Sequence, residues 1–464
     1  MRMSLDRPKL IAAGALLFAS TALAAEGTRF SDFTALTSSA GPTLDESAPI
    51  TFGNPDFQQS SIADRQTQLS EFTPNSGSWD MNTVNETGPH KGRYLFTVFE
   101  TGVPGVQRHD LLRGETETIW QSPGTGAGHT SFDACYWTPW GTLITAEESW
   151  ATAAGGSTSP FGRLFELKNP IDAPGIVTPL TPFSNEGANF VHQNVVPRTS
   201  HEGIQFDNAR NMYFIDELDG GNIYKFVSAA SFGDLISGKA EYFAAGRTFV
   251  LRVGEGNTPN ATGGFTWVPF TDAAGRALPG ALTITDTNGV TSVDARNTTN
   301  LAPFKGSDYM RPEDMQIQTV DGREYLYVTT TSTHQIYRLD LQQNTISVFA
   351  SRATIDLATG VAVGSALANP DNLAIDHDGN IYIIEDRNGG VDDDIWFAND
   401  LNKDGDLNDP GEGLTRWASN GTVGSEFTGL YFDPTDKRRA WVNIQHPVSG
   451  RDRTIQIVTP QTDK

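Results

Sequence analysis

The chemistry in this sequence centres on one cysteine and a set of carboxylates. Cys135 opens the stretch Cys135-Tyr136-Trp137-Thr138-Pro139-Trp140-Gly141-Thr142-Leu143-Ile144-Thr145-Ala146-Glu147-Glu148, which ends in two adjacent acids. As the only thiol of the chain it has no disulfide to make within it, so it is an inert packing group, a nucleophile or a metal ligand. Hard oxygen donors at matching places further on favour the ligand: Glu202, Glu313, Asp314, Asp371 and Asn372. Oxygen-rich clusters suit calcium, whereas a thiolate suits a transition metal beside it. Arg311, two residues before Glu313, adds a planar fork matched to phosphate, although taken alone it also reads as a surface ion-pair partner. Cations with such an arginine are the equipment of phosphate ester hydrolysis, where they activate an oxygen nucleophile and offset charge in the transition state.

Those residues need a scaffold that brings them to one place, and an internal repeat supplies it. Glu202-Gly203-Ile204-Gln205-Phe206-Asp207, Glu313-Asp314-Met315-Gln316-Ile317-Gln318, Asp371-Asn372-Leu373-Ala374-Ile375-Asp376 and Thr428-Gly429-Leu430-Tyr431-Phe432-Asp433 share one form. Each precedes a second apolar run: Asn211 to Phe214, Tyr325 to Val328, Asn380 to Ile383 and Ala440 to Asn443. Three continue into a third strand, at Asn222 to Phe226, Gln335 to Leu339 and Asp394 to Phe397. Short strands in recurring sets with variable loops are the mark of propeller blades, with a sandwich or long barrel as the alternative. In a propeller the residues just before each innermost strand converge on the central channel. Carboxylates gathered there repel one another unless cations sit among them. Helical spacing is scarce; Ala229 to Leu235 and Ser351 to Leu357 hold a turn or two at most.

A net charge of −23 excludes a nucleic-acid partner, since no basic patch is available to neutralise phosphates. With 464 residues, 38% of them hydrophobic, the chain has ample material for a core. Residues 1–24 read as an export signal: Arg2, Arg7 and Lys9, an apolar run from Leu10 to Thr21, then Ala22-Leu23-Ala24. That run falls short of the ~20 residues a bilayer requires, so it predicts a periplasmic or secreted protein without a membrane anchor. Residues 25–78 are polar and Ser-, Thr-, Pro- and Gly-rich, which predicts an irregular arm, and 79–464 form the propeller domain. A separate signal lies at Asp400, Asn402, Asp404 and Gly405, the front of a calcium loop; its twelfth position is Gly411, and the nearest acid, Glu412, comes one place late. It reads either as a peripheral structural calcium site or as a solvated acidic turn.

Taken together, these pieces resemble the PhoX-type alkaline phosphatases. They are Cys135 with Thr138-Pro139-Trp140-Gly141-Thr142 and Glu147-Glu148, Ser200-His201-Glu202-Gly203, Ile223-Tyr224-Lys225-Phe226-Val227, Arg311-Pro312-Glu313-Asp314, Asn369-Pro370-Asp371-Asn372, and Phe427-Thr428-Gly429 with Val442-Asn443-Ile444-Gln445-His446-Pro447. Only Tyr136 and Trp137 separate Cys135 from Thr138, where the family carries a small, Gly-rich spacer. The resemblance implies an all-β, six-bladed propeller whose channel holds a mixed iron and calcium cluster that hydrolyses phosphomonoesters. By the same resemblance Cys135 and Glu148 are iron ligands, Glu202, Glu313 and Asp371 further cluster ligands, with Asn372 a candidate beside them, and Arg311 the phosphate contact. His201 is expected to be structural. The expected partner is a small phosphorylated substrate and the expected state a monomer. Two other readings stand beside it: a calcium-stabilised propeller that only binds a ligand or partner, and a lactone or sugar-ester hydrolase.

Overall fold

Runs such as Tyr94-Leu95-Phe96-Thr97-Val98-Phe99 and Ile381-Tyr382-Ile383-Ile384 are cut at short intervals by Gly, Asn and Asp, which favours short antiparallel strands joined by tight turns. The computed structural model describes residues 28–42, 45–124, 128–150, 159–176, 188–286, 288–296, 298–387 and 393–460. The expected export signal lies outside them. Among the described residues the architecture is nearly all β, with short α-helices only at Arg65–Ser70 and Phe232–Ile236. The second falls where a helical turn was expected; the 351–357 stretch instead forms a turn and the short strand Ile355–Asp356. No described helix is long and apolar enough to cross a membrane.

The strands sort into antiparallel sets of four. The first runs from the inside outward as Trp79–Val84, Tyr94–Phe99, Gly105–Asp110 and Glu115–Gln121, and the second as Phe132–Trp137, Leu143–Glu147, Leu164–Leu167 and Phe190–His192. The third comprises Ile204–Phe206, Met212–Ile215, Ile223–Ser228 and Gly246–Val253; the fourth Pro312–Val320, Arg323–Thr330, Gln335–Asp340 and Thr345–Ser351. The fifth is Pro370–Ile375, Ile381–Glu385, Asp393–Asn399 and Gly413–Asn420. The last is Glu426–Phe432, Arg439–Gln445, Arg453–Val458 and, from the far end of the chain, Gln58–Asp64. An extra strand, Gly263–Pro269, pairs with Gly246–Val253 and, through Gly263 and Gly264, with Thr345–Ser351, so the third and fourth sets merge into one sheet.

The inner strand of each set packs beside that of the next, and Glu426–Phe432 returns to Trp79–Val84, closing a ring. The core lies between neighbouring sets rather than at one centre. One cluster joins Phe96 and Val98 of the first set to Phe132, Leu143 and Phe165 of the second. Another joins Ile215 and Leu251 of the third to Met315 and Leu326 of the fourth, and a third joins Tyr382, Ile384 and Trp417 of the fifth to Phe427, Val442 and Ile455 of the last. Each set is therefore apolar on both faces and stable only against its neighbours.

The expectation for residues 25–78 needs correction. Ile50–Phe52 pairs with Gly413–Asn420, and Gln58–Asp64 is the outer strand of the last set, hydrogen-bonded along Arg453–Val458. Phe30 and Phe57 enter the same cluster as Trp417. The polar composition of this stretch reflects an edge strand with one wet face, a pattern that hides a strand from a search for apolar runs.

Candidate metal centre in the ring

The inner strands carry one irregularity in the same place. Pairing with the second strand shifts register between Trp79 and Asn82, Phe132 and Cys135, Pro312 and Met315, and Pro370 and Leu373. A bulge leaves two residues opposite one and re-aims the extra side chain. The first bulged residue is Asp80, Asp133, Glu313 or Asp371, and Glu202 holds the matching place before Ile204–Phe206. The second strands end on acids as well: Glu100, Glu148, Glu217 and Asp386. Two tiers of carboxylates thus line the inner end of the ring.

The ligand oxygens of Asp80, Glu100 and Asp133 lie within 4.8 Å of one another, and so do those of Glu202, Glu217 and Glu313. Gln445 ties the first trio together, its Nε2 donating to Asp80 Oδ2 at 3.2 Å and to Glu100 Oε2 at 2.9 Å. In the second trio Ser200 Oγ donates to Glu217 Oε2 at 3.3 Å, and Thr331 Oγ1 donates to Glu313 Oε1. Glu147 and Glu148 part company, as adjacent strand residues must. Glu147 turns into the core and pairs with Arg163, whose Nη2 reaches its Oε1 at 2.6 Å. Glu148 faces the acids and accepts a hydrogen bond from Trp150 Nε1.

Burial without enough compensation raises the affinity of these acids for protons. Asp133 is pushed up to about 7 and Glu313 to about 8, by burial first and then by the acids around them. Burial and carboxylate neighbours likewise raise Asp80, Glu100, Glu202, Glu217 and Asp371. Arg311 is the cation on the spot. Its Nη2 lies 2.7 Å from Glu217 Oε1, its Nε 3.2 Å from Glu313 Oε1, and its guanidinium sits 4.7 Å over the Trp150 ring. It is held at φ 53°, a left-handed conformation that costs a residue with a Cβ roughly 1–2 kcal/mol. One arginine cannot offset two trios. Asp133 Oδ1, Glu202 Oε2 and Glu313 Oε2 are buried with no hydrogen-bond partner among the described residues. Unpartnered anionic oxygens gathered in this way fit a hard cation.

Of the residues expected at the site, the structure brings Glu148, Glu202, Glu313, Asp371 and Arg311 into mutual electrostatic reach. Two are placed elsewhere. Cys135 lies two residues beyond the ring position of its strand, which Asp133 occupies; it packs in the apolar cluster with Phe96, Phe132 and Trp137, and its Sγ lies 3.8 Å from Phe96 O. Burial drives its thiol strongly toward the protonated form. Asn372 clasps neighbouring sets together: its Oδ1 accepts from Gly429 N at 2.8 Å, much as Asp314 Oδ2 accepts from Leu373 N at 2.9 Å. His201 is buried against Phe214, with neither ring nitrogen partnered among the described residues and its pKa lowered to about 3 by burial and then by Arg296. Sequence reasoning missed Asp80, Glu100, Asp133, Glu217 and Asp386. The signal was present, since Trp79-Asp80-Met81-Asn82 and Phe132-Asp133-Ala134-Cys135 read in register with Pro312-Glu313-Asp314-Met315.

The calcium-loop residues sit apart, beyond Asp393–Asn399, where Asp400, Asp404 and Glu412 place ligand oxygens within 4.8 Å of one another. Asn402 is outside that trio, its Nδ2 donating to Asp404 Oδ2 at 3.1 Å and Asp409 Oδ2 at 2.8 Å.

A closed ring of antiparallel strand sets, with paired acids at the inner end of most sets, is a propeller built around a carboxylate-lined channel. The chain belongs to the alkaline phosphatase PhoX family: the sequence model of that family matches residues 134–448. No curated protein matches the sequence. Among solved structures the chain is similar to a putative phosphatase from Bacteroides thetaiotaomicron, with 12% identity, 83% of this chain and 72% of that one covered, and a TM-score of 0.45. It is also similar to a gluconolactonase from Xanthomonas campestris, at 10% identity, 91% and 97% coverage and a TM-score of 0.42. A catalytically inactive virginiamycin B lyase from Staphylococcus aureus shares 11% identity over 87% of this chain and 100% of its own, with a TM-score of 0.42.

Proposed function

We propose that this chain is an exported phosphomonoesterase whose six strand sets are the blades of one propeller and whose channel acids hold divalent cations, calcium foremost. The observation that carries this reading is that Asp133, Glu202 and Glu313, which interact electrostatically beside Arg311, each keep a buried oxygen with no hydrogen-bond partner among the described residues. Family membership supports the reaction class. The donors are carboxylates, and the thiol expected to draw iron is packed among apolar groups, so the ligand set favours a hard ion. When bound, the cations would supply Lewis-acid stabilisation to a phosphoryl group.

The protein's own part is positioning. Glu217 accepts a hydrogen bond from Arg311 Nη2 and Glu313 forms an ion pair with the guanidinium, while the side chain stays 23% exposed and can meet an anion at the mouth. Trp150 stacks on the guanidinium and holds Glu148, linking the arginine to the second tier. Closely spaced carboxylates with no cation among them would repel a phosphate, so phosphate binding depends on loading. A small phosphorylated substrate, a periplasmic or secreted location and a monomeric state complete the proposal.

Purified protein stripped by a chelator and reloaded with calcium is expected to release phosphate from a generic aryl phosphate monoester. Absence of hydrolysis with any divalent or trivalent metal, together with a calcium-dependent rise in melting temperature, would favour a ligand-binding propeller instead.

A further inference from the structure

The loop 400–412 joins the third and fourth strands of the fifth set, at the end of Asp393–Asn399 remote from the channel. Asp393 pairs with Asn420 at the channel end and Asn399 with Gly413 at the far end, so this 7-residue strand separates the two places by roughly 20 Å. Asp400 is 6% exposed, and its Oδ2 accepts a hydrogen bond from Gly405 N at 3.1 Å. Its other oxygen, Oδ1, is buried and has no hydrogen-bond partner among the described residues. Asp404 and Glu412 bring carboxylate oxygens within 4.8 Å of the Asp400 ligand atom, and Glu412 is 3% exposed. An ionised carboxylate oxygen so placed requires a positive partner, and no arginine or lysine forms an ion pair with Asp400 or Glu412 among the described residues.

We infer that this loop binds one calcium ion, held by Asp400, Asp404 and Glu412, as a site separate from the channel. The spacing is that of a calcium loop with its closing acid displaced by one position: oxygen side chains at the first, third and fifth places, glycine at φ 85° in the sixth, and Glu412 thirteenth. The one-residue displacement that weakens the motif on paper is absorbed by the turn at 409–412, where Glu412 N donates to Asp409 O at 3.0 Å. Glu412 Oε1 then comes back to Leu401 N at 2.9 Å, beside Asp400.

The ion would do structural work. Arg338 of the fourth set donates from Nη1 to Asp404 O, and Lys403 Nζ reaches Gly379 O and Asn380 Oδ1 at 3.2 Å each. A Cβ on Gly405 would stand 1.8 Å from the Arg338 guanidinium carbon, so loop and arginine are fitted to each other. A cation that fixes the loop therefore fixes the outer contact between the fourth and fifth sets.

The test uses the full chain in which Glu313→Gln disables the channel, titrated with calcium after chelation. The loop is expected to keep one equivalent of calcium, and adding Asp404→Asn, at an exposed position, to weaken it about tenfold. In the otherwise unchanged protein, calcium is expected to slow tryptic cleavage after Lys403 at least tenfold, with the protection lost in Asp404→Asn and phosphatase activity unchanged. Equal calcium affinity with and without Asp404→Asn overturns the proposal, as does cleavage after Lys403 that ignores calcium.

Discussion

Asp133 and Cys135 stand two residues apart on one strand, yet they live in different media. Asp133 shares a trio with Asp80 and Glu100, whereas Cys135 shares a layer with Phe96 and Trp137. Asp133→Asn and Glu313→Gln are each expected to lower the metal content by the channel ions, leaving the equivalent held by the 400–412 loop, and to lower phosphomonoester turnover by about 10²-fold or more, read by elemental analysis and phosphate release. Cys135→Ala is expected to leave metal content intact and cost about 1 kcal/mol of stability, read by denaturant unfolding. Loss of metal in Cys135→Ala would return the thiol to the ligand set. Arg311 separates binding from loading: Arg311→Lys keeps a charge beside Glu217 and Glu313 but loses the fork. We expect it to retain metal while kcat/KM falls about tenfold, and a variant as active as the parent would remove Arg311 from the reaction.

At the level of the strand, the bulge does two jobs with two successive residues. Its first residue faces the channel, as Glu313 and Asp371 do, and its second holds the adjoining set, as Asp314 and Asn372 do. The seams are close: a Cβ on Gly203 would meet Asp314 Oδ1 and Met315 N at 2.5 Å each. Gly203→Ala is accordingly expected to lower stability by about 2–3 kcal/mol, and an unchanged denaturation midpoint would show that the seam yields freely. This division of labour explains what the sequence disclosed. The repeat from Glu202 to Asn443 marked inner and second strands correctly because both faces of these strands are buried and read as apolar runs. It also named Glu202, Glu313 and Asp371, which the fold brings within electrostatic reach of one another. It did not separate channel residue from clasp within Asp371-Asn372, because both are short, polar and adjacent, and only pairing register distinguishes them. Asp80 and Asp133 went unseen because their strands, Trp79–Val84 and Phe132–Trp137, depart from the later copies: Asn82 stands where Met315 does in the fourth set, and Ala134 and Tyr136 stand where Asp314 and Gln316 do. Gln58–Asp64 was hidden by the wet face of an edge strand.

For the whole molecule, the channel makes stability depend on pH and on cations together. The pKa values of Asp133 and Asp314, both about 7, and of Glu313, about 8, are raised above those of the unfolded chain. Without metal, burial holds these acids toward the protonated form, and their contribution, complete below about pH 4, is lost as pH rises through those values. Four histidines act with the opposite sign: His109 and His129, lowered to about 4, and His192 and His201, to about 3, oppose folding only below about pH 6.5. Between pH 6.5 and 8 the acids alone dominate, so the melting temperature of chelated protein should fall across that window and that of calcium-loaded protein should not. A flat or rising profile for the chelated form would contradict the neutral acids.

The seal between Gln58–Asp64 and Arg453–Val458 joins one of the first described strands to the last. During synthesis the opening strand has to wait, unpartnered, until almost the entire polypeptide has been made. Until that late pairing the acids contributed by different sets have no fixed spacing, so no cation can find them all assembled. On the function proposed above, loading of the channel then follows completion of the circle, and a chain lacking either of these two strands is left with an open ring.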